Sequence, residues 1–130
     1  MSAAAEGAAP GFVPGRHLID QYGRGGFRFA GMSHRGSILL LPSGVSAWPP
    51  TSGRDLTPAH FDPVFEEEVR VEFLIVGTGL EFVVLDDATR RRFREAAISL
   101  DVMQTGPAAR TYNVLLAENR RVGAALIAVE

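Results

Sequence analysis

A strand that runs into two glycines, followed by two helical patterns and a last apolar strand, leaves this chain few folds to choose from. Across residues 69–76, Val69, Val71, Phe73 and Ile75 alternate with Arg70 and Glu72, and Leu74 and Val76 then fill the second face. Burial that begins on one side and becomes two-sided is the pattern of a strand entering a helix-covered parallel sheet. Gly77-Thr78-Gly79 follows at its carboxyl end, where open α/β sheets form their crevice. A further strand over residues 98–103 and a final one over residues 122–129 complete a β–α–β–α–β unit. Its two special loops, 77–79 and 103–107, are then expected on one edge of one sheet.

The helices of this unit carry their own end signals. Asp86 or Asp87 is placed to cap the first, with negative charge at its amino end. Arg91 and Glu95 are spaced to pair across one turn, and Phe93 with Ala96 and Ala97 supplies the buried side. The second helix is expected to have Pro107 at its first position, behind Gly106 or Thr105 as the cap. Ala108, Tyr112 and Leu115 form its apolar stripe, widened by Leu116, and Asn119 stands where a left-handed residue ends it. Gly123, Ala124 and Ala125 in the last strand allow a helix to approach closely. Gly77-Thr78-Gly79 lacks both a third glycine and an immediate helix, because residues 80–85 read as extended; a tight turn is preferred over a phosphate loop.

The first half reads as an antiparallel β layer. Residues 1–14 are rich in Ala, Gly and Pro and are expected to be a disordered tail, leaving residues 15–130 as a single α/β domain. Residues 17–22 are extended, Gly23-Arg24-Gly25-Gly26 is a reversal, and Phe27 and Phe29 alternate with Arg28. Residues 33–36 are expected to be a second turn, 37–41 a central strand and 45–48 a short one. Thr57 caps a helix begun by Pro58 and limited by Pro63, and Glu66-Glu67-Glu68 reads as a solvated face.

Composition removes several function classes. The chain has 130 residues and a net charge of −2, which gives no footprint for nucleic acid. It contains no cysteine, so thiolate metal sites and thiol nucleophiles are excluded, and its 13 basic residues are all arginine, so lysine chemistry is excluded too. His17, His34 and His60 lie far apart with no metal-ligand spacing, so neither a metal nor a cofactor is expected. Gly31-Met32-Ser33-His34-Arg35-Gly36 lacks the spacing of a nucleophile elbow and reads as a turn. No apolar run approaches the roughly 18 residues of a membrane span, so a cytoplasmic protein, at most peripheral to a membrane, is expected.

Several segments together resemble one family. They are Ile75-Val76-Gly77-Thr78-Gly79, Met103-Gln104-Thr105, Ala108-Ala109-Arg110-Thr111-Tyr112-Asn113-Val114-Leu115-Leu116, Arg120-Arg121-Val122 and Ala124-Ala125-Leu126-Ile127. The resemblance is to a small methanobacterial-type domain family of unknown function that includes a mitochondrial respiratory complex I assembly factor and an adipogenesis-associated protein. It runs from about residue 19 to the end. It implies a three-layer α/β fold, with a mixed β-sheet, helices and an additional antiparallel β layer. It also implies an accessory or assembly role with protein partners and no established catalytic activity. Ala97 and Asn119 stand where glycine is usual in the family.

Two sites of different kinds follow. A non-catalytic assembly protein, a monomer or weak dimer, would offer a partner surface that includes Trp48, Pro49 and Pro50, although Trp48 also reads as a lid on the core. An anion- or nucleotide-binding protein would instead use a crevice between Gly77-Thr78-Gly79 and the amino end of the Pro107 helix. Thr105, Gly106, Arg110, Thr111 and Asn113 are its candidate donors; the competing reading gives Thr105 to capping and Asn113 to buried backbone.

Overall fold

The computed structural model describes residues 12–130. Its elements are β1 (Val13–Pro14), β2 (Gln21–Gly23), β3 (Gly26–Phe29), β4 (Met32–Arg35), β5 (Ile38–Leu41), β6 (Gly44–Ala47), α1 (Asp62–Phe65), β7 (Phe73–Gly77), α2 (Asp87–Glu95), β8 (Ser99–Met103), α3 (Thr105–Ala117) and β9 (Val122–Leu126). Most of the expected tail lies outside the described residues. Its last two residues are β1, paired with Val45 and Gly44 of β6.

A six-stranded mixed sheet in the order β1-β6-β5-β9-β7-β8 forms the middle layer, and β2-β3-β4 form a separate antiparallel sheet. β7 runs parallel to both β8 and β9, whereas β5 meets β9 antiparallel. The chain steps outward from β7 to β8 through α2, then back past β7 to β9 through α3. Because such crossovers share one hand, the two helices must lie on opposite faces. Two cores result. Ile38, Leu40, Ile75, Ala124 and Leu126 face α3 and the small sheet, with Phe27, Phe29, Ala108 and Tyr112. Leu39, Leu41, Leu74, Val76 and Ala125 face α1 and α2, with Trp48, Phe61 and Phe93. This is the expected three-layer α/β arrangement with its added β layer.

Strand β7 starts four residues later than the alternation predicts. Val71 packs with Leu74 and Val76 rather than with Ile75, and Val69 is exposed. Only Phe73 to Gly77 are held in the ladder, so a period of two does not extend to the residues before it. Residues 80–85, expected to be extended, bend at Leu80 and Glu81 and join no ladder. The second hairpin turn is Ala30-Gly31, both at positive φ, and residues 33–35, expected in the turn, belong to β4. Paired positive φ values suit the twist of a two-residue hairpin, and an alanine there carries no warning in the sequence. The helix begun by Pro58 behind Thr57 is a single 3-10 turn, Pro58–Phe61, as short as expected, and Pro63 then sits in the first turn of α1, where its missing N–H costs nothing.

Helix ends follow local chemistry. Asp86 caps α2 by accepting from Thr89 N at 2.7 Å. Hydrogen bonds from the Thr89 backbone and hydroxyl hold its carboxyl below the usual range. Arg91 and Glu95 do not pair; Arg90 bonds Asp87, and Arg92 bonds Asp62 at 2.7 Å while covering the Phe65 ring. Phe93 meets Phe61 edge-on at 5.4 Å, beneath that pair. Ala97 is exposed rather than buried, at φ +59, and Asn119 is at φ +62. Ile98 N donates to Phe93 O and Ala97 N to Arg94 O, the double bond of a Schellman end, and Arg120 and Asn119 repeat it on α3.

An alanine in the left-handed region is strained where glycine is not. Ala97→Gly is therefore expected to stabilise the protein by about 0.5–1 kcal/mol, less than the full strain because glycine also loosens the unfolded chain. A higher urea midpoint at unchanged slope would show it.

Candidate functional site: the rim at the ends of β7 and β8

The two glycine-bearing bends do meet. Thr78 N donates to Met103 O at 2.9 Å and Thr105 N to Gly79 O at 3.0 Å, so the loop after β7 and the start of α3 share one rim. They meet closely because Gly77 has no side chain. A Cβ there would lie 2.8 Å from Thr105 Cα.

The donors expected in the crevice are engaged by the protein itself. Thr105 is fully buried; its Oγ1 accepts from Gly79 N at 2.9 Å and donates to Ile127 O at 2.7 Å. Thr78, also buried, donates from Oγ1 to Glu81 O at 2.6 Å and accepts there from Val83 N at 3.2 Å. The hydroxyls thus weave loop, strand and helix together. Helix α3 begins at Thr105 with Gln104 as its cap residue, so Pro107 occupies the third position rather than the first. Gln104 makes no side-chain cap bond; its Nε2 donates to Leu80 O at 2.7 Å.

The remaining candidates point elsewhere. Gly106 is covered by the Tyr22 hydroxyl, to which Arg110 Nη1 also donates at 3.3 Å. Thr111 Oγ1 contacts Met103 Sδ at 3.6 Å. Asn113 accepts from Ile19 N and donates to Ile19 O, both at 2.8 Å, which satisfies an isolated stretch of backbone. Tyr112 assists by donating to His17 O at 2.8 Å, and burial holds its phenol well above the usual range, with Arg16 opposing. Thr78 and Gly79 do border a shallow cavity of about 240 Å³, on the side shared with Ser52, Arg54 and residues 127–130.

The expected partner surface is corrected at two of its three positions. Trp48 is buried, donates from Nε1 to His60 O at 2.9 Å and lies 5.6 Å from the Phe61 ring. Pro50 is buried as well, leaving Pro49 exposed. Trp48 is the lid of the second core, because its indole N–H finds a backbone acceptor inside the protein.

Sequence reasoning missed what the rim displays. Leu80, Phe82 and Val84 are 70%, 57% and 68% exposed, at alternate positions of the loop between β7 and α2. Large apolar side chains clustered in this way mark a contact surface more often than isolated ones do. The signal was present as a period-two apolar pattern with no partner strand to bury it. No helix among the described residues is long and apolar enough to cross a membrane.

A family of proteins of unknown function (DUF498/DUF598) matches residues 19–127. The chain belongs to this family. An uncharacterized protein of Rhodobacter capsulatus is 37% identical, over 91% of this chain and 89% of that one. The mouse NADH dehydrogenase [ubiquinone] 1 alpha subcomplex assembly factor 3 is 36% identical over 84% of this chain, which spans 59% of the factor's length. A solved structure described as an outer membrane protein of Bartonella henselae superposes with a TM-score of 0.86 at 50% identity, covering 90% of this chain and 98% of that one. A Bordetella pertussis protein described as a Mth938-like domain has a TM-score of 0.75 at 27% identity, over 86% and 85% of the two chains.

Proposed function

We propose that this member of the DUF498/DUF598 family is a non-catalytic accessory protein that aids assembly of a respiratory or other membrane complex. It works in the cytoplasm, at most peripheral to a membrane, as a monomer or weak dimer, and residues 15–130 act as one domain. The observation that carries the reading is the exposed row Leu80, Phe82 and Val84 on a rim whose hydroxyls are already satisfied. An apolar surface beside spent polar groups suits a protein partner better than an anion. Kinship with the assembly factors supports the role, and it comes from the part of those proteins that this chain matches.

Deleting the gene and resolving membrane complexes on native gels tests it. Assembled NADH dehydrogenase is expected to fall, and to be restored by the natural chain but not by one carrying Leu80→Ser, Phe82→Ser and Val84→Ser. Unchanged complex levels would reject the role. The competing reading, a small-anion or nucleotide-binding protein, would be supported by thermal stabilisation with a nucleotide or phosphorylated metabolite that Arg110→Ala abolishes.

A further inference from the structure

The outer face of the small sheet carries a basic trough, remote in sequence from the rim. Its volume is about 960 Å³, and its lining includes Arg24, Arg28 and Arg35 but no carboxylate. Strand register explains its shape. Gln21, Arg28 and Ser33 stand abreast across the three strands, and Gly23, Gly26 and Arg35 form the next row on the same face. Gly23 and Gly26 add no side chain to the row that holds Arg35, and Gly26 is itself covered. Gly26 must stay a glycine, since a Cβ there would lie 2.1 Å from His34 O. Phe27 and Phe29 on the opposite face are buried in the first core, which backs the trough with packed side chains.

The arginines of the trough are not ion-paired among the described residues, although Glu130 comes close to the turn at Gly25. All three are exposed, and Arg28 donates only to Ser33 Oγ, at 2.6 Å. Arg90 and Arg92 of α2, by contrast, have Asp87 and Asp62. In a chain of net charge −2 this is a local positive field set in a concavity, where field lines are focused. β2 and β4 are both edges of their sheet, so each has a side paired to no further strand. A cavity of this size exceeds one small anion and matches several residues of extended peptide.

We propose that the trough binds an acidic, extended segment of a partner protein, laid across the outer face of the small sheet with its carboxylates on Arg24, Arg28 and Arg35. Charge-assisted hydrogen bonds from the guanidinium groups hold the carboxylates, and the spacing of the three arginines selects an extended acidic segment. The proposal rests on the accessory reading only in taking a protein as ligand. It is tested with purified components, so its failure leaves the assembly phenotype standing.

The probe is a dye-labelled hexaglutamate peptide, followed by fluorescence anisotropy at low salt. Saturable binding that weakens as salt rises is expected. Arg28→Glu and Arg35→Glu should each weaken it by about tenfold or more. Arg91→Glu, the same charge change on the exposed face of α2, should alter it by less than about twofold. Circular dichroism establishes that each variant is folded. Absence of saturable binding overturns the proposal, as does equal loss in Arg91→Glu, which would indicate bulk charge alone. Tighter binding of an oligothymidylate of equal charge would reassign the trough to nucleic acid. Full competition by inorganic phosphate at the peptide's own concentration would reduce it to a single-anion site.

Discussion

Replacing Thr105 by valine is expected to lower stability by about 3 kcal/mol, although the two side chains are nearly equal in volume. The hydroxyl serves two buried backbone groups at once, Gly79 N and Ile127 O. Valine leaves both without that partner, and each lost bond in a dry site costs about 1–3 kcal/mol. Thr105→Ser keeps the hydroxyl and removes one methyl, for about 1 kcal/mol. Urea denaturation at constant slope would separate the two variants. The contrast also bears on function. Were Thr105 held in reserve for a ligand, valine would match the natural protein when no ligand is present, and the crevice would return as the candidate site.

Gly77→Ala should do comparable damage by a different route. The added methyl would lie 2.8 Å from Thr105 Cα, 2.9 Å from Thr105 Oγ1 and 3.0 Å from Leu126 Cδ2. Two of those neighbours belong to the first residue of α3, which is itself tied to Gly79 and Ile127, so the helix must move as a whole. Overpacking against a constrained backbone costs about 2–3 kcal/mol, or about 10 °C of melting temperature at this chain length. Calorimetry on the purified variant measures it. A melting temperature within about 2 °C of the natural protein would mean that the rim is looser than its hydrogen bonds indicate.

Both predictions concern residues that the sequence marks as special, yet for a reason it does not display. Gly77-Thr78-Gly79 and Thr105 were legible as a site because glycines at a strand's carboxyl end and a hydroxyl before a helix are local signals. Their use as internal fastening was not legible. Trp48 shows the same limit, since an indole between a short strand and two prolines suits a partner surface as well as a core lid. His60 O, brought up by the turn before α1, decides for the lid. Ala30 failed as a turn signal because alanine seldom adopts positive φ, and the strand pairing on either side forces it.

The amino-acid sequence by itself determined the order of elements from β7 onward, the two-sided burial of β5 and β7, a carboxylate cap at Asp86 or Asp87 and the left-handed end at Asn119. Each of these depends on residues a few positions apart, through side-chain period or a cap bond, and needs nothing from the rest of the chain. Only the tertiary structure decided that the rim's hydroxyls are consumed, that Leu80, Phe82 and Val84 are left uncovered, and that three arginines line one trough without an ion pair. Whether a donor is free, an apolar side chain covered or a charge balanced depends on what distant segments bring within contact, and no local pattern carries that information.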